Sequence, residues 1–135
     1  WVTVGGKWRY VGNDGAYATG WIKVKGTWYY LHGNGDMATG WLKLGKTWYY
    51  LKGSGAMATG WLKLGKTWYY LKGSGAMATG WYQVGRTWYY SNGSGAMQAN
   101  RWIGNYYVKS SGAMATSQWI GRYHVNASGK WDKTR

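Results

Sequence analysis

WLKLGKTWYYLKGSGAMATG occupies residues 41–60 and is repeated without a change at residues 61–80. Residues 21–40 and 81–100 follow the same 20-residue template with substitutions. A fixed period of that length is the signature of a repeat architecture, in which one unit cannot bury its own apolar face and successive units must stack. The fold therefore reduces to what one unit forms and how it meets the next.

In the unit that begins at Trp41, the runs Trp41-Leu42-Lys43-Leu44 and Thr47-Trp48-Tyr49-Tyr50-Leu51 flank Gly45-Lys46. Two short runs of β-formers around a two-residue, Gly-containing turn predict a β-hairpin. Glycine in first place, as in Gly45-Lys46, Gly65-Lys66 and Gly85-Arg86, suits a type II′ turn, whereas Lys25-Gly26 and Gly5-Gly6 suit type I′. Such a turn sets Leu44 opposite Thr47, Lys43 opposite Trp48, Leu42 opposite Tyr49 and Trp41 opposite Tyr50. Alternation along the strands then sorts the hairpin into two faces. Leu42, Leu44, Thr47, Tyr49 and Leu51 form the expected core face, and Trp41, Lys43, Trp48 and Tyr50 the other. The link Lys52–Gly60 is rich in turn residues, with Met57 as its one bulky apolar anchor. A lone hairpin is marginal in water, so Met57 is expected to plug the joint between neighbours. The predicted fold is all-β: a β-solenoid of stacked two-stranded hairpins, one repeat domain over residues 1–135. Long hairpin repeats fill residues 1–100; two short hairpins and a tail fill 101–135.

Departures from the template mark the ends. In the first unit Arg9 replaces the inward Tyr and Tyr17 replaces Met, and a charge on the core face fits a terminal repeat. Beyond Met97 the hairpins shorten. Trp102–Val108 keeps Trp102 opposite Tyr107 and Ile103 opposite Tyr106, but loses the equivalents of Lys43 and Trp48. Trp119–Val125 repeats this form with His124 in place of Tyr107, and Trp131 stands where Met is expected.

Composition narrows the function. The chain holds 13 Trp, 14 Tyr and 24 Gly, with no Phe, Pro or Cys. A purely buried core draws on residues that need no hydrogen-bond partner, so this aromatic set points to faces turned toward solvent or a ligand. Without Cys there are no disulfides. No run reaches the roughly 18 apolar residues of a membrane span. The opening on Trp1 in mid-pattern reads as a C-terminal module of something larger. Net charge is +14, which favours polyanions as partners or, more simply, solvates the surface. Catalysis is poorly supported: the only carboxylates are Asp14, Asp36 and Asp132, and His32 and His124 sit in different repeats. No metal set, cofactor motif or phosphate loop is present. The chain is not expected to be an enzyme.

Two Trp and one Tyr converging on a point make a box with π-rich walls. Such a box suits a quaternary ammonium group, which has no N–H to satisfy and is attracted to the ring quadrupoles. Each contact contributes about 0.5–2 kcal/mol, so one box binds at roughly millimolar strength. Several boxes meeting a polymer gain avidity of about 10²–10⁴. The simpler alternative is that the Trp pairs only pack hairpin on hairpin.

The pattern GW-x₆-WYYL followed by G-x-M-x-TG, seen from Gly40 to Leu51 and from Gly55 to Gly60, resembles the choline-binding (cell-wall-binding) repeats of Gram-positive surface proteins, phage endolysins and autolysins. The long form covers residues 1–100, and the W-I-G-x-Y-x-V segments at 102–108 and 119–125 resemble a variant. The resemblance implies a β-solenoid with choline enclosed by two Trp of one hairpin and an aromatic of the next, beside a Met. On this sequence Trp1 and Trp8 would be closed by Tyr30, Trp21 and Trp28 by Tyr50, and Trp41 and Trp48 by Tyr70. Trp61 and Trp68 would be closed by Tyr90, and Trp81 and Trp88 by Tyr107. The second Tyr of each WYY is chosen because alternation puts it on the Trp face. Met37, Met57, Met77 and Met97 would be apolar walls, and Lys43 and Lys63 would meet phosphate. Trp102 lacks a second Trp and would meet His124, so no cage is expected there.

The implied partner is choline or phosphocholine on teichoic acid, with no nucleic acid. The implied place is the bacterial cell wall, as the targeting module of a larger protein such as a wall-hydrolysing enzyme, or of a phage endolysin. A homodimer through the C-terminal short hairpins is a further option. Two rivals stand beside this reading: an α-glucan or other glycan module, and a polyanion binder. The latter would show steep salt dependence.

Overall fold

A computed structural model describes residues 1–135. Every regular element is a β-strand. The strands form successive antiparallel hairpins: β1 (Val2–Val4) with β2 (Lys7–Arg9), β3 (Gly20–Val24) with β4 (Thr27–Leu31), and β5 (Gly40–Leu44) with β6 (Thr47–Leu51). Then come β7 (Gly60–Leu64) with β8 (Thr67–Leu71), β9 (Gly80–Val84) with β10 (Thr87–Ser91), and β11 (Arg101–Ile103) with β12 (Tyr106–Val108). The last hairpin, β13 (Gln118–Ile120) with β14 (Tyr123–Val125), gains a third strand, β15 (Trp131–Thr134). No helix is present that could cross a membrane.

The turns follow local chemistry. Gly45 has φ +63°, and Lys46 stays out of the positive region, as a II′ turn requires. Lys25 and Gly26 both have positive φ, +51° and +83°, as in type I′. With the turns set, the register is the expected one: Trp41 opposite Tyr50, Leu42 opposite Tyr49, Lys43 opposite Trp48 and Leu44 opposite Thr47. The short hairpin likewise pairs Trp102 with Tyr107 and Ile103 with Tyr106.

By compactness the chain divides into two units, residues 1–62 with 71–77, and residues 63–70 with 78–135. In each unit, adjacent backbone donors of the link tie successive hairpins together. In the first, Met57 N–H donates to the Trp28 carbonyl of the preceding hairpin at 2.9 Å, and Ala58 N–H donates to Tyr50 of its own at 2.8 Å. Met37 binds Trp8 in the same way, and in the second unit Met97 binds Trp68 and Met114 binds Trp88, each at 2.8 Å. Each unit is thus a stack of hairpins, the architecture of a β-solenoid. Its backbone groups are paired across the joints rather than only within strands.

The core is narrower than the sequence predicts. Leu31, Leu51 and Leu71 in the first unit, and Val108 and Val125 in the second, are fully buried, alongside Ala38, Ala58, Ala78 and Ala115. Of the expected core face only Leu51 is fully buried; Leu42, Leu44, Thr47 and Tyr49 are half-buried. Successive hairpins meet by opposite faces, Trp21 on the aromatic face of one against Tyr49 on the expected core face of the next. Neither face is then wholly inside, and only the inner edge is dry. That edge has a socket for each Met. A Cβ at Gly55, where φ is +88°, would collide with the sulfur of Met37, whose Cγ and Cε would both lie at 3.0 Å. Gly75 receives Met57, Gly112 receives Met97 and Gly129 receives Met114 in the same manner.

Two sets of departures compensate one another. Arg9 does not mark an unpartnered end, as the sequence reading had it. Its Nε donates to Asp36 Oδ1 at 3.0 Å, and its guanidinium lies 4.9 Å from the Tyr17 ring centre. In the fifth hairpin Tyr82 and Ser91 stand where the repeat has two leucines, and their hydroxyls meet at 2.8 Å in a buried hydrogen bond. No buried side-chain polar atom lacks a partner.

Candidate functional site

Front-to-back stacking builds the cavities. Trp1 of the first hairpin meets Tyr29 of the second edge-on, with centroids 4.9 Å apart and planes at 69°. Trp1, Trp8, Tyr29, Met37, Gly53 and Ser54 surround a cavity of about 300 Å³. One repeat on, Trp21 and Trp28 stand perpendicular, 6.4 Å apart at 86°, and Trp21 meets Tyr49 at 5.1 Å. With Met57, Gly73 and Ser74 they enclose about 360 Å³. In the second unit Trp81 meets Tyr106 at 5.6 Å, and Trp81, Trp88, Tyr106, Met114 and Ser128 line about 330 Å³.

In these three cavities the closing aromatic is therefore the first Tyr of the pair, Tyr29, Tyr49 and Tyr106, rather than Tyr30, Tyr50 and Tyr107. Tyr30, Tyr50, Tyr90 and Tyr107 instead brace the Trp opposite them in their own hairpins, at 5.2 Å from Trp21, 5.1 Å from Trp41, 5.1 Å from Trp81 and 5.2 Å from Trp102. Tyr70 stacks on Tyr82 at 5.5 Å. Strand alternation puts the second Tyr on the Trp face, but the next hairpin turns its opposite face to that cavity, and that face carries the first Tyr.

Trp41 and Trp48 keep the perpendicular arrangement, 6.3 Å apart at 90°. Trp61 stands in β7 and Trp68 in β8 at the corresponding repeat positions. Met37 and Met57 are cavity walls as expected. Met77 and Met97 hold the same backbone position beside Trp48 and Trp68. Met114 was missed in the sequence reading, although it sits in the same Ala-Met-Ala setting as Met57. So were the serines of the link two hairpins on.

Lys43 and Lys63 place their ammonium groups 5.7 Å from the ring centres of Trp48 and Trp68, and Lys23 does so at 5.9 Å from Trp28. Trp102 does not meet His124. It meets Tyr123 at 5.8 Å, in a cavity of about 310 Å³ completed by Trp131, Gly104 and Asn105. His124 lies instead against Trp119 at 5.0 Å and pairs through Nδ1 with Asp132 Oδ1 at 2.7 Å.

These cavities lie at the small end of the range for ligand pockets, roughly 300–1,000 Å³. Their walls are indole and phenol rings, a thioether and a hydroxyl, and no carboxylate lines them. Such a lining can attract a cation that has no N–H to satisfy.

Choline-binding repeat families match nearly the whole chain: one over residues 1–39, 18–60, 38–82 and 58–102, and another over 96–131. Among solved structures, CbpJ from Streptococcus pneumoniae TIGR4 is 47% identical with a TM-score of 0.90, covering 98% of this chain and 47% of that one. Choline-binding protein F of Streptococcus pneumoniae, solved in the presence of a peptidoglycan analogue, is 46% identical with a TM-score of 0.92, covering 98% of this chain and 46% of its own. It has also been solved in complex with ipratropium. The modular autolysin LytC of Streptococcus pneumoniae is 38% identical with a TM-score of 0.77, covering 96% of this chain and 31% of its own. This chain thus spans less than half the length of each of these relatives. Comparison with curated proteins gave no match.

Proposed function

The chain belongs to the choline-binding repeat family, and on that footing we propose that it is a non-catalytic module that binds choline, or phosphocholine on teichoic acid, and anchors a larger protein to the Gram-positive cell wall. Residues 1–135 serve as one repeat domain in this reading, because the repeat pattern runs through both compact units. Choline is held in the boxes of Trp1, Trp8 and Tyr29, of Trp21, Trp28 and Tyr49, and of Trp81, Trp88 and Tyr106. By repeat register the same role extends to Trp41, Trp48, Trp61 and Trp68. The observation that carries the reading is the perpendicular pair Trp21 and Trp28, closed by Tyr49 over a cavity free of carboxylates.

Quaternary nitrogen is the group such walls select. Ipratropium, found with the related protein F, carries one. Lys43 and Lys63, held beside Trp48 and Trp68, are positioned to meet the phosphate of phosphocholine. The net charge of +14 then draws the module toward an anionic polymer, while the uncharged boxes read the cation at contact, where salt screening matters little.

The test is a titration of intrinsic Trp fluorescence with choline chloride, using sodium chloride at equal ionic strength as control. The expected result is a saturable change at millimolar choline that the neutral isostere 3,3-dimethyl-1-butanol does not reproduce. A response no larger than that to salt would remove choline as ligand. The same titration with a neutral glucan would then test the glycan reading.

A further inference from the structure

We propose that Trp102, Tyr123 and Trp131 form a further cation cage, assembled by a route the repeat pattern does not use. The inference rests on the choline reading above for the chemistry of its ligand.

Shortening of the sixth hairpin removes the second indole. Asn105 takes the backbone position that Trp88 holds in the fifth hairpin: Met114 N–H donates to the Trp88 carbonyl at 2.8 Å, and Trp131 N–H donates to the Asn105 carbonyl at 2.8 Å. Trp131 thus enters at the backbone register of the Met and brings an indole where a thioether would stand. One substitution in the tail restores the wall that the shortened hairpin lost.

The geometry is that of a box. Trp102 and Trp131 both stand nearly perpendicular to Tyr123, with centroids at 5.8 Å and 83° and at 5.7 Å and 87°. The enclosed space, about 310 Å³, matches the repeat cavities, and Gly104 and Asn105 complete its lining without a charge. The polar edge of the Trp131 indole is occupied within its own strand. Its Nε1–H donates to the Lys133 carbonyl and to Thr134 Oγ1, both at 3.2 Å, so the ring is fixed with its π surface available. A tryptophan that only capped the last hairpin would be covered by it. Trp131 instead keeps 44% of its surface exposed and Tyr123 39%, in the range of the repeat Trp walls such as Trp28 at 40%.

This cage has a property the others lack. Its third wall lies on β15, which joins the fold through backbone pairing to β14 and the contact of His124 with Asp132. A cation that binds only the docked tail favours docking by mass action, so occupancy and tail order are linked.

The test uses the full chain with ¹⁵N-labelled indoles, the Trp21, Trp81, Trp102 and Trp131 N–H resonances being assigned through single Trp→Phe variants. On titration with choline chloride against equal sodium chloride, Trp102 and Trp131 are expected to shift together and saturate at millimolar choline. They should not respond to 3,3-dimethyl-1-butanol. Trp131→Leu, which keeps apolar packing, is expected to abolish the Trp102 shift while Trp21 and Trp81 still titrate. Saturating shifts at Trp21 and Trp81 with Trp102 and Trp131 unmoved would overturn this cage alone. Static resonances throughout would overturn the choline reading and the cage with it.

Discussion

Arg9 Nε lies 3.0 Å from Asp36 Oδ1, 27 residues away in the chain, and both residues replace what the repeat prescribes. One repeat later the position of Arg9 holds Tyr29, and that of Asp36 holds Ala56. The pair is partly shielded, with side chains 21% and 23% exposed. Asp36→Ala leaves the guanidinium with the Tyr17 ring alone and is expected to cost about 1–2 kcal/mol of stability. Combining Asp36→Ala with Arg9→Tyr restores the repeat residues at both positions and should recover most of that loss. Urea denaturation of the two variants checks this, and a double variant no more stable than Asp36→Ala would refute the compensation.

Tyr82 and Ser91 form the second exchange, a large and a small residue in place of two leucines. Ser91→Ala removes the buried hydrogen bond between the two hydroxyls and is expected to lower stability by about 1 kcal/mol. Burial raises the Tyr82 phenol above its ordinary value of 10.0, with the Ser91 hydrogen bond pulling the other way. The folded protein therefore keeps this proton where the unfolded chain releases it. The resulting stabilisation is complete below about pH 10 and is lost as pH rises through the raised value. Thermal melts from pH 9 to 11.5 should fall less steeply for Tyr82→Phe than for the parent chain.

The assignment of the first Tyr to each cavity separates two adjacent residues. Tyr49→Leu keeps apolar bulk but removes a π wall, and should weaken choline at the Trp21–Trp28 box by about tenfold, the equivalent of 1.4 kcal/mol. Tyr29→Leu should do the same at Trp1–Trp8. Indole resonances of Trp28 and Trp8 report each box separately. An undiminished affinity in both variants would return the closing role to the second Tyr.

Gly55 serves two needs at once, a φ of +88° and room for the Met37 sulfur. Gly55→Ala is expected to destabilise by more than about 1 kcal/mol from the backbone alone, with the steric clash added. Adding Met37→Ala relieves the clash but not the backbone strain, so denaturation midpoints should show partial rescue. Full rescue would mean that the backbone conformation contributes little.

Hairpins, turn types and strand register were legible because they depend on neighbours a few residues apart. Gly45-Lys46 and Lys25-Gly26 carry their turn types in their own order, and the pairing of Trp41 with Tyr50 follows at once. The choice between Tyr49 and Tyr50 was not legible in the same way. It depends on which face of one hairpin looks onto the next, a relation that alternation within a strand does not contain. Trp131 was read correctly as standing in a Met position, yet its cavity was missed. The repeat pattern places two Trp within one hairpin, and here the second comes from the tail. The partnership of Arg9 with Asp36 was not legible, because it forms only where the link of the second hairpin folds back onto the first.

The folding repeat and the binding repeat are out of phase. The cavity at Trp21 and Trp28 takes its aromatic and thioether walls, Tyr49 and Met57, from the next hairpin, and Gly73 and Ser74 from the link after that. One hairpin with its link thus contributes parts to as many as three cavities, and the identical copies at 41–60 and 61–80 carry the same parts. Excising a whole 20-residue block would let the flanking copies close up and supply what was lost, leaving the array one site shorter and otherwise intact. An excision of any other length would damage several sites together. Recombination between the identical blocks at 41–60 and 61–80 removes or adds whole copies in frame, so the number of cavities changes in integer steps.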